Sequence, residues 1–169
     1  MARRVDVDRS LEPVRIPADI FHGLCQHALE LEASPPREEC CGLIVGDSLE
    51  RYRRQVRCRN EMTARHEQDP NTYPRDGRTA FFMSPHDYDK AMREAETAGQ
   101  RITAVYHSHV GAGPYLSDMD VAYAEQPGFP FPEADQIVIS VYERVVREVA
   151  VFRRTGNGFV GHPVEPVAP

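Results

Sequence analysis

The 169-residue sequence predicts an α+β fold, a curved mixed or mainly antiparallel sheet flanked by helices. Three observations carry this. Segments near 20–31 and 88–95 repeat apolar residues at helical spacing. Short apolar runs near 40–45, 102–106, 136–142 and 145–152 have strand length instead. Helix and strand signals do not alternate steadily, and no glycine-rich phosphate loop is present, so a doubly wound parallel sheet is disfavoured.

Residues 1–12 are polar and charged and read as a flexible arm ahead of a domain spanning 13–155. Val14-Arg15-Ile16 suits a short strand, and Pro17 suits the opening of a helix. In that helix Ile20, Phe21, Leu24, Cys25, Ala28 and Leu31 share one face. Ser34-Pro35-Pro36 stops it, because a residue before proline avoids the helical region. Cys40–Val45 reads as a buried strand, and 50–59 as the next, with Tyr52, Val56 and Cys58 on one face. The arginines at 51, 53, 54, 57 and 59 form a basic patch, read first as a solvated strand face and second as a dock for an acidic partner.

Residues 61–78 show no period and read as a long loop. Thr79–Met83 reads as a strand. Ser84-Pro85-His86-Asp87 supplies an N-cap, a first-turn proline and a first-turn acid, and Gly99 a stop. Ile102–Tyr106 is the central strand. Phe129 and Phe131, flanked by prolines, cover the edge of the core or line a pocket, the first being the plainer reading. Gln136–Tyr142 and Val145–Phe152 form a hairpin-like pair around Glu143-Arg144. The C-terminal tail, 156–169, is rich in glycine and proline and is expected to fray.

A hydrophobic share of 41% with 27% charged residues is that of a soluble globular chain, long enough for one cored domain. Twenty Lys and Arg against 26 Asp and Glu leave a charge of −6, which argues against nucleic-acid binding. No apolar run reaches the roughly 20 residues that span a bilayer, so no membrane partner is expected. The N-terminus lacks the apolar core of a secretory signal, and a cytoplasmic location is expected. Cys25, Cys40, Cys41 and Cys58 fit neither a zinc ribbon nor a disulfide scaffold and read as reduced, mostly buried thiols. The sequence leaves the oligomeric state open, a homodimer among the options.

The chemistry concentrates in 104–120, Ala-Val-Tyr-His-Ser-His-Val-Gly-Ala-Gly-Pro-Tyr-Leu-Ser-Asp-Met-Asp. At a strand end His107 and His109 project to one side, with Ser108 between them on the other. Gly111–Pro114 turns the chain, and Ser117 is placed to cap a helix carrying Asp120 in its first turn. Folded back, Asp120 joins the two imidazoles: two nitrogens and one carboxylate oxygen, with a fourth tetrahedral position open. That set suits a catalytic zinc carrying water. Each half also has a plain structural explanation, since a His-x-His pair alone is a weak signal and Ser-x-x-Asp is a common capping box.

His-Ser-His, seven intervening residues and then Ser117-x-x-Asp120 resembles the signature of the JAMM (MPN-plus) metallopeptidases. That family also carries an upstream Glu shortly before a strand Gly, and Glu39 stands three residues before Gly42. The resemblance covers roughly 13–153 and departs at Val110, where many members have proline. It implies a cytidine-deaminase-like sandwich and one Zn2+ per chain on His107, His109 and Asp120. Alternation lets only one of Glu38 and Glu39 face the metal, and the family spacing selects Glu39 as general base. Ser117 is the implied oxyanion donor. Residues 61–80 are the implied substrate-facing segment.

Bacterial stand-alone members of this size resemble the enzymes that process ubiquitin-like sulfur carriers. The implied reaction is hydrolysis of a peptide or isopeptide bond after the carrier's C-terminal Gly-Gly, including release of cysteine from a carrier adduct. Two other readings stand beside it: a non-catalytic MPN-type scaffold, which usually loses ligands or the Glu, and a zinc amidase acting on a small molecule. The ligand set also admits iron or cobalt.

Overall fold

A computed structural model describes residues 3–169. Among them, seven strands form one mixed sheet in the order β1-β7-β6-β5-β4-β2-β3. The elements run β1 (Val14–Pro17), α1 (Ala18–Ala33), β2 (Cys41–Gly46), β3 (Arg54–Cys58), α2 (Met62–Gln68), α3 (Pro85–Thr97), β4 (Arg101–Val110), α4 (Asp118–Glu125), β5 (Asp135–Tyr142), β6 (Val145–Thr155) and β7 (Gly158–Val167). Strands β1–β7 and β4–β5 pair in parallel, and the other neighbours are antiparallel. This is the α+β sandwich expected from the sequence.

The two faces of the sheet follow from strand alternation. On one face Ala104 and Tyr106 of β4, with Ile137 and Ile139 of β5, pack under Ile20, Leu24 and Ala28 of α1. On the other face Val105 lies with Cys41, Leu43 and Ala91 of α3, and Val138 lies with Val121 and Ala124 of α4. Residues 107 and 109 continue the Val105 side, so both imidazoles emerge on the α3–α4 face. Phe129 and Phe131 are buried in that same layer, and each also lines a surface pocket.

Local signals explain most boundaries. Extended backbone at Ser34 ends α1 before the two prolines. Ser84 Oγ accepts the Asp87 N–H, with Pro85 in the first turn of α3, and Gly99 follows at φ 70°. Glu143 and Arg144 turn the β5–β6 hairpin with φ of 49° and 66°, the left-handed pair that a two-residue hairpin loop requires. The four thiols are unpaired, and all but Cys25 are buried.

Four expectations are corrected. Residues 61–78 are not one long loop, since α2 occupies Met62–Gln68, started by Asn60 Oδ1 accepting the Met62 N–H at 3.0 Å. Thr79–Met83 is not a strand and makes only an isolated bridge between Met83 and Asn60. Gly158–Val167, expected to fray, is a strand held between β6 and β1. The arm at 1–12 is not loose where it is described: Val5 bridges Leu116 and Val7 bridges Gly161.

The arginines at 51–59 are largely neutralised. Arg51, Arg53, Arg57 and Arg59 meet Asp135, Asp47, Glu30 and Asp87 at 2.8, 2.9, 2.6 and 3.3 Å. Charges on an edge strand discourage pairing with another sheet, which suits β3. Among the described residues no helix is long and apolar enough to cross a membrane.

Candidate metal centre and active site

Strand β4 runs further than the apolar run suggested, through His107-Ser-His109 to Val110. Val110 pairs with Val141 of β5, so the ladder runs one residue past the His pair. The chain then turns at Gly111, whose φ of 71° suits glycine. The Gly111 N–H donates to Val141 O at 2.8 Å, and Ser140 Oγ donates to Ala112 O at 2.6 Å. These two bonds fix the start of the return toward α4.

Asp120 comes back through a full capping box. Ser117 Oγ accepts the Asp120 N–H, and Asp120 Oδ2 accepts the Ser117 N–H, both at 3.0 Å. The same Oδ2 lies 3.2 Å from His107 Nε2 and 3.5 Å from His109 Nε2, and the two Nε2 atoms are 3.2 Å apart. A tetrahedral zinc with bonds of about 2.0–2.1 Å separates its ligand atoms by about 3.3 Å. The triangle therefore has the size of one face of such a site.

The donor set fits as well. His109 Nδ1 is 2.9 Å from Gly113 O, so its proton sits on Nδ1 and its Nε2 lone pair points inward. Asp120 is pressed upward by burial, yet the adjacent His107 first, and then its contacts with His109 and the Ser117 cap, hold it well below the usual carboxylate range. Electron pairs from three groups thus converge on one buried point, an arrangement a cation relieves. Among the described residues this is also a cluster of His, Cys, Asp or Glu able to hold a metal ion. Phe81 stacks on the His107 ring at 4.6 Å, and Tyr115 leans on the His109 ring at 4.9 Å.

Glu39 is not on a strand, as the sequence suggested, but two residues ahead of β2. Cys41 lies opposite His107 in the β2–β4 register. One residue upstream, Cys40 N donates to Ser108 Oγ at 2.8 Å and Ser108 N donates to Cys40 O at 3.0 Å. Glu39 N donates to Gly77 O at 2.7 Å, and Glu39 O accepts from Asn60 Nδ2 at 3.1 Å. Its buried carboxyl is pushed well above the usual range by desolvation, then by the charge of Asp120, against the opposing pull of Arg75. Glu38 goes elsewhere: its carboxylate packs on Gly77, where a Cβ would strike it.

Glu39, His109, Ser117 and Asp120 line a pocket of about 560 Å³, and His107 is fully buried beneath. Its opposite wall comes from Tyr73, Arg75, Arg78, Phe81 and Phe82. All five residues singled out from the sequence are thus brought together. His22, His27, His66, His86 and His162 stand outside the cluster; His66 Nδ1, for instance, is 2.6 Å from Tyr73 O.

Asn60 is the residue that the sequence reading missed. Its Nδ2 donates to Glu39 O and Ala80 O, both at 3.1 Å, and its Oδ1 accepts from Met62 N and Phe82 N, both at 3.0 Å. One side chain therefore ties the Glu39 backbone, the start of α2 and the pocket wall together. The local signal was an Asn between a strand and a helix, which by itself indicates only a cap.

The family described as prokaryotic homologs of the JAB domain matches residues 18–154. A curated protein named desampylase, from Haloferax volcanii, is 28% identical over 116 residues, 69% of this chain and 76% of its own length. Protein DSY2949 from Desulfitobacterium hafniense superposes with a TM-score of 0.60 at 18% identity, over 92% of this chain and 93% of that one. A protein from Salinibacter ruber superposes with a TM-score of 0.58 at 20% identity, over 92% of each chain. The two solved structures share the fold.

Proposed function

Because the chain belongs to the family of prokaryotic homologues of the JAB domain, we propose that it is a zinc-dependent peptidase acting on a ubiquitin-like protein. The bond cut is the peptide or isopeptide bond after the substrate's C-terminal Gly-Gly, and the substrate class is a ubiquitin-like sulfur carrier. The observation that carries the reading is the triangle of His107 Nε2, His109 Nε2 and Asp120 Oδ2, with sides of 3.2, 3.2 and 3.5 Å, in the pocket that Glu39 lines. The name of the Haloferax relative, desampylase, supports hydrolysis of a bond to a protein modifier.

His107, His109 and Asp120 would hold the zinc, which when bound supplies Lewis acidity and lowers the pKa of water at the site toward about 7. Glu39 takes the proton of the attacking water and delivers it to the leaving amine. Its buried position raises its proton affinity, which suits a group that must hold a proton between the two transfers. Ser117 Oγ accepts from Asp120 N and keeps its own proton free. That proton is donated to the substrate carbonyl oxygen as negative charge develops there. The wall at 73–82 meets the extended tail of the substrate.

The test uses purified wild type and Glu39→Gln, assayed together for bound zinc and for cleavage of sulfur carriers extended beyond Gly-Gly. The expected result is about one zinc in both proteins and cleavage by wild type alone. Full activity in Glu39→Gln with its zinc intact overturns the assigned mechanism. Zinc in both with no cleavage turns the substrate search to small amides.

A further inference from the structure

The N-terminal segment reaches the site through its neighbours. Val5 and Leu116 exchange both backbone hydrogen bonds, Val5 N to Leu116 O and Leu116 N to Val5 O, each at 2.9 Å. Leu116 is fully buried and directly precedes Ser117. The Arg4 guanidinium lies 3.7 Å over the Tyr115 ring, and Tyr115 is the ring that leans on His109. The segment is anchored further along: Asp8 N donates to Gly161 O at 2.9 Å, and both Arg9 terminal nitrogens meet Glu148 at 2.7 Å. Gly161 is the one residue type that admits this crossing, because a Cβ there would collide with Asp6 O and the Phe152 ring.

We propose that residues 4–9 form a positioning strap that sets the metal affinity of the site through Tyr115 and Leu116. The proposal rests on the metal reading of His107, His109 and Asp120. Two of those ligands depend on the 111–117 return: His109 through Gly113 O, and Asp120 through the Ser117 cap. One end of that return is fixed by β5, at Val141 and Ser140. The other end is fixed by the strap. Without it Leu116 loses its two backbone partners, and the Ser117–Asp120 box is tethered from one side only. Partners that orient metal ligands from behind typically change metal affinity by about 10- to 100-fold when removed.

The experiment is competition for zinc between a chromogenic chelator and the metal-free full-length chain, for wild type, Val5→Pro, Arg4→Ala and Arg4→Lys. Amide exchange at Leu116 and Asp120 is followed in the same metal-free proteins. Proline at 5 deletes the donor to Leu116 O and leaves the side-chain anchors at Arg9. Val5→Pro is expected to weaken zinc binding about 10-fold and to speed exchange at Leu116 and Asp120, with β5 unchanged. Arg4→Ala is expected to weaken binding about 3-fold, and Arg4→Lys, which keeps a cation over the ring, to restore it. Arg4 is exposed, so its variants remain informative if Val5→Pro does not fold. Zinc affinities within twofold of wild type in every variant overturn the strap and leave the metal reading standing. A wild type that takes up no zinc overturns the metal reading, and the strap's assigned role with it.

Discussion

Gly42 lies directly opposite Tyr106 in the β2–β4 ladder, and the Tyr106 ring fills the space a Cβ at 42 would need. The ring edge and hydroxyl of Tyr106 and the Val56 carbonyl all converge there. This gives the glycine three residues after Glu39 a physical reason. The tyrosine sits one position before His107, so the glycine lets β2, which Glu39 leads into, close on β4, which carries His107 and His109.

Gly42→Ala is therefore expected to be an overpacking substitution. Two of the three obstacles are atoms of a buried aromatic ring and one is backbone, so relief is costly. A loss of about 2–3 kcal/mol is expected, or roughly 5–10 °C in thermal midpoint for a domain of this size. Thermal unfolding of the metal-free protein checks it. An unchanged midpoint would mean that the ladder opens without cost and that the glycine has another role.

The ease of reading this chain varied with the range of the interactions. His107, His109, Ser117 and Asp120 were legible because strand alternation and a helix cap are local rules, and all four fall within one short stretch. Glu39 was selected by its spacing to Gly42; its place beside the His107–His109–Asp120 cluster depends on the Cys41–His107 register, which no local rule supplies. Strand β7 was missed because Pro163, Pro166 and Gly158 suppress the strand signal, while its order comes from β6 and β1 on either side. Helix α2 buries none of its residues, so it left no apolar period to find.

Metal removal is expected to destabilise wild type and spare Asp120→Asn. A ligand at 100 times its dissociation constant stabilises the native state by about 2.7 kcal/mol, so a chelator should lower the wild-type midpoint by several degrees. Asn at 120 cannot offer the anionic oxygen that faces both imidazoles, and its midpoint should not respond to chelator. Thermal scans with zinc and with chelator decide this. Equal responses in the two proteins would remove Asp120 from the ligand set.

Ser117→Ala separates two roles. Loss of the bond to Asp120 N is a lost helix cap, costing about 1 kcal/mol. Loss of the donor to the substrate oxygen is expected to cost about 100- to 1,000-fold in turnover. Steady-state kinetics at saturating zinc, read beside thermal stability, distinguish them. A modest stability loss with turnover unchanged would leave Ser117 as a cap alone.

His27 predicts acid sensitivity far from the pocket. It is buried against Tyr106, with Nδ1 2.7 Å from the hydroxyl, and its pKa is lowered to about 4 by burial first and the charge of Arg57 second, against Glu30. In the unfolded chain it returns to about 6.5. Between those values the unfolded state binds more protons, so this group's contribution to stability falls as pH drops from about 6.5 toward about 4, by at most about 1.4 kcal/mol per pH unit. Urea unfolding of wild type and His27→Gln should give parallel curves above pH 6.5 and a steeper acid loss in wild type below it. Parallel curves throughout would place the acid response in other groups.

Asn60 joins the Glu39 backbone to the pocket wall, so on the proposed mechanism Asn60→Ala should reach catalysis without touching His107, His109 or Asp120. Its bonds to Glu39 O, Ala80 O, Met62 N and Phe82 N are made by a half-buried side chain, and alanine replaces none of them. The freed carbonyls and amides cost about 1–3 kcal/mol for each one left without a partner in the interior, and water can reach some of them beside the open pocket. Glu39 keeps its N–H bond to Gly77 but loses its second backbone tether. Turnover is expected to fall by at least 10-fold, since a carboxylate shifted by about 1 Å loses its proton-transfer geometry, while zinc affinity stays near wild type because His107, His109 and Asp120 are held from β4 and α4. Zinc titration beside steady-state kinetics checks the split. A parallel loss of zinc affinity and turnover would mean that Asn60 supports the whole site and not the placement of Glu39.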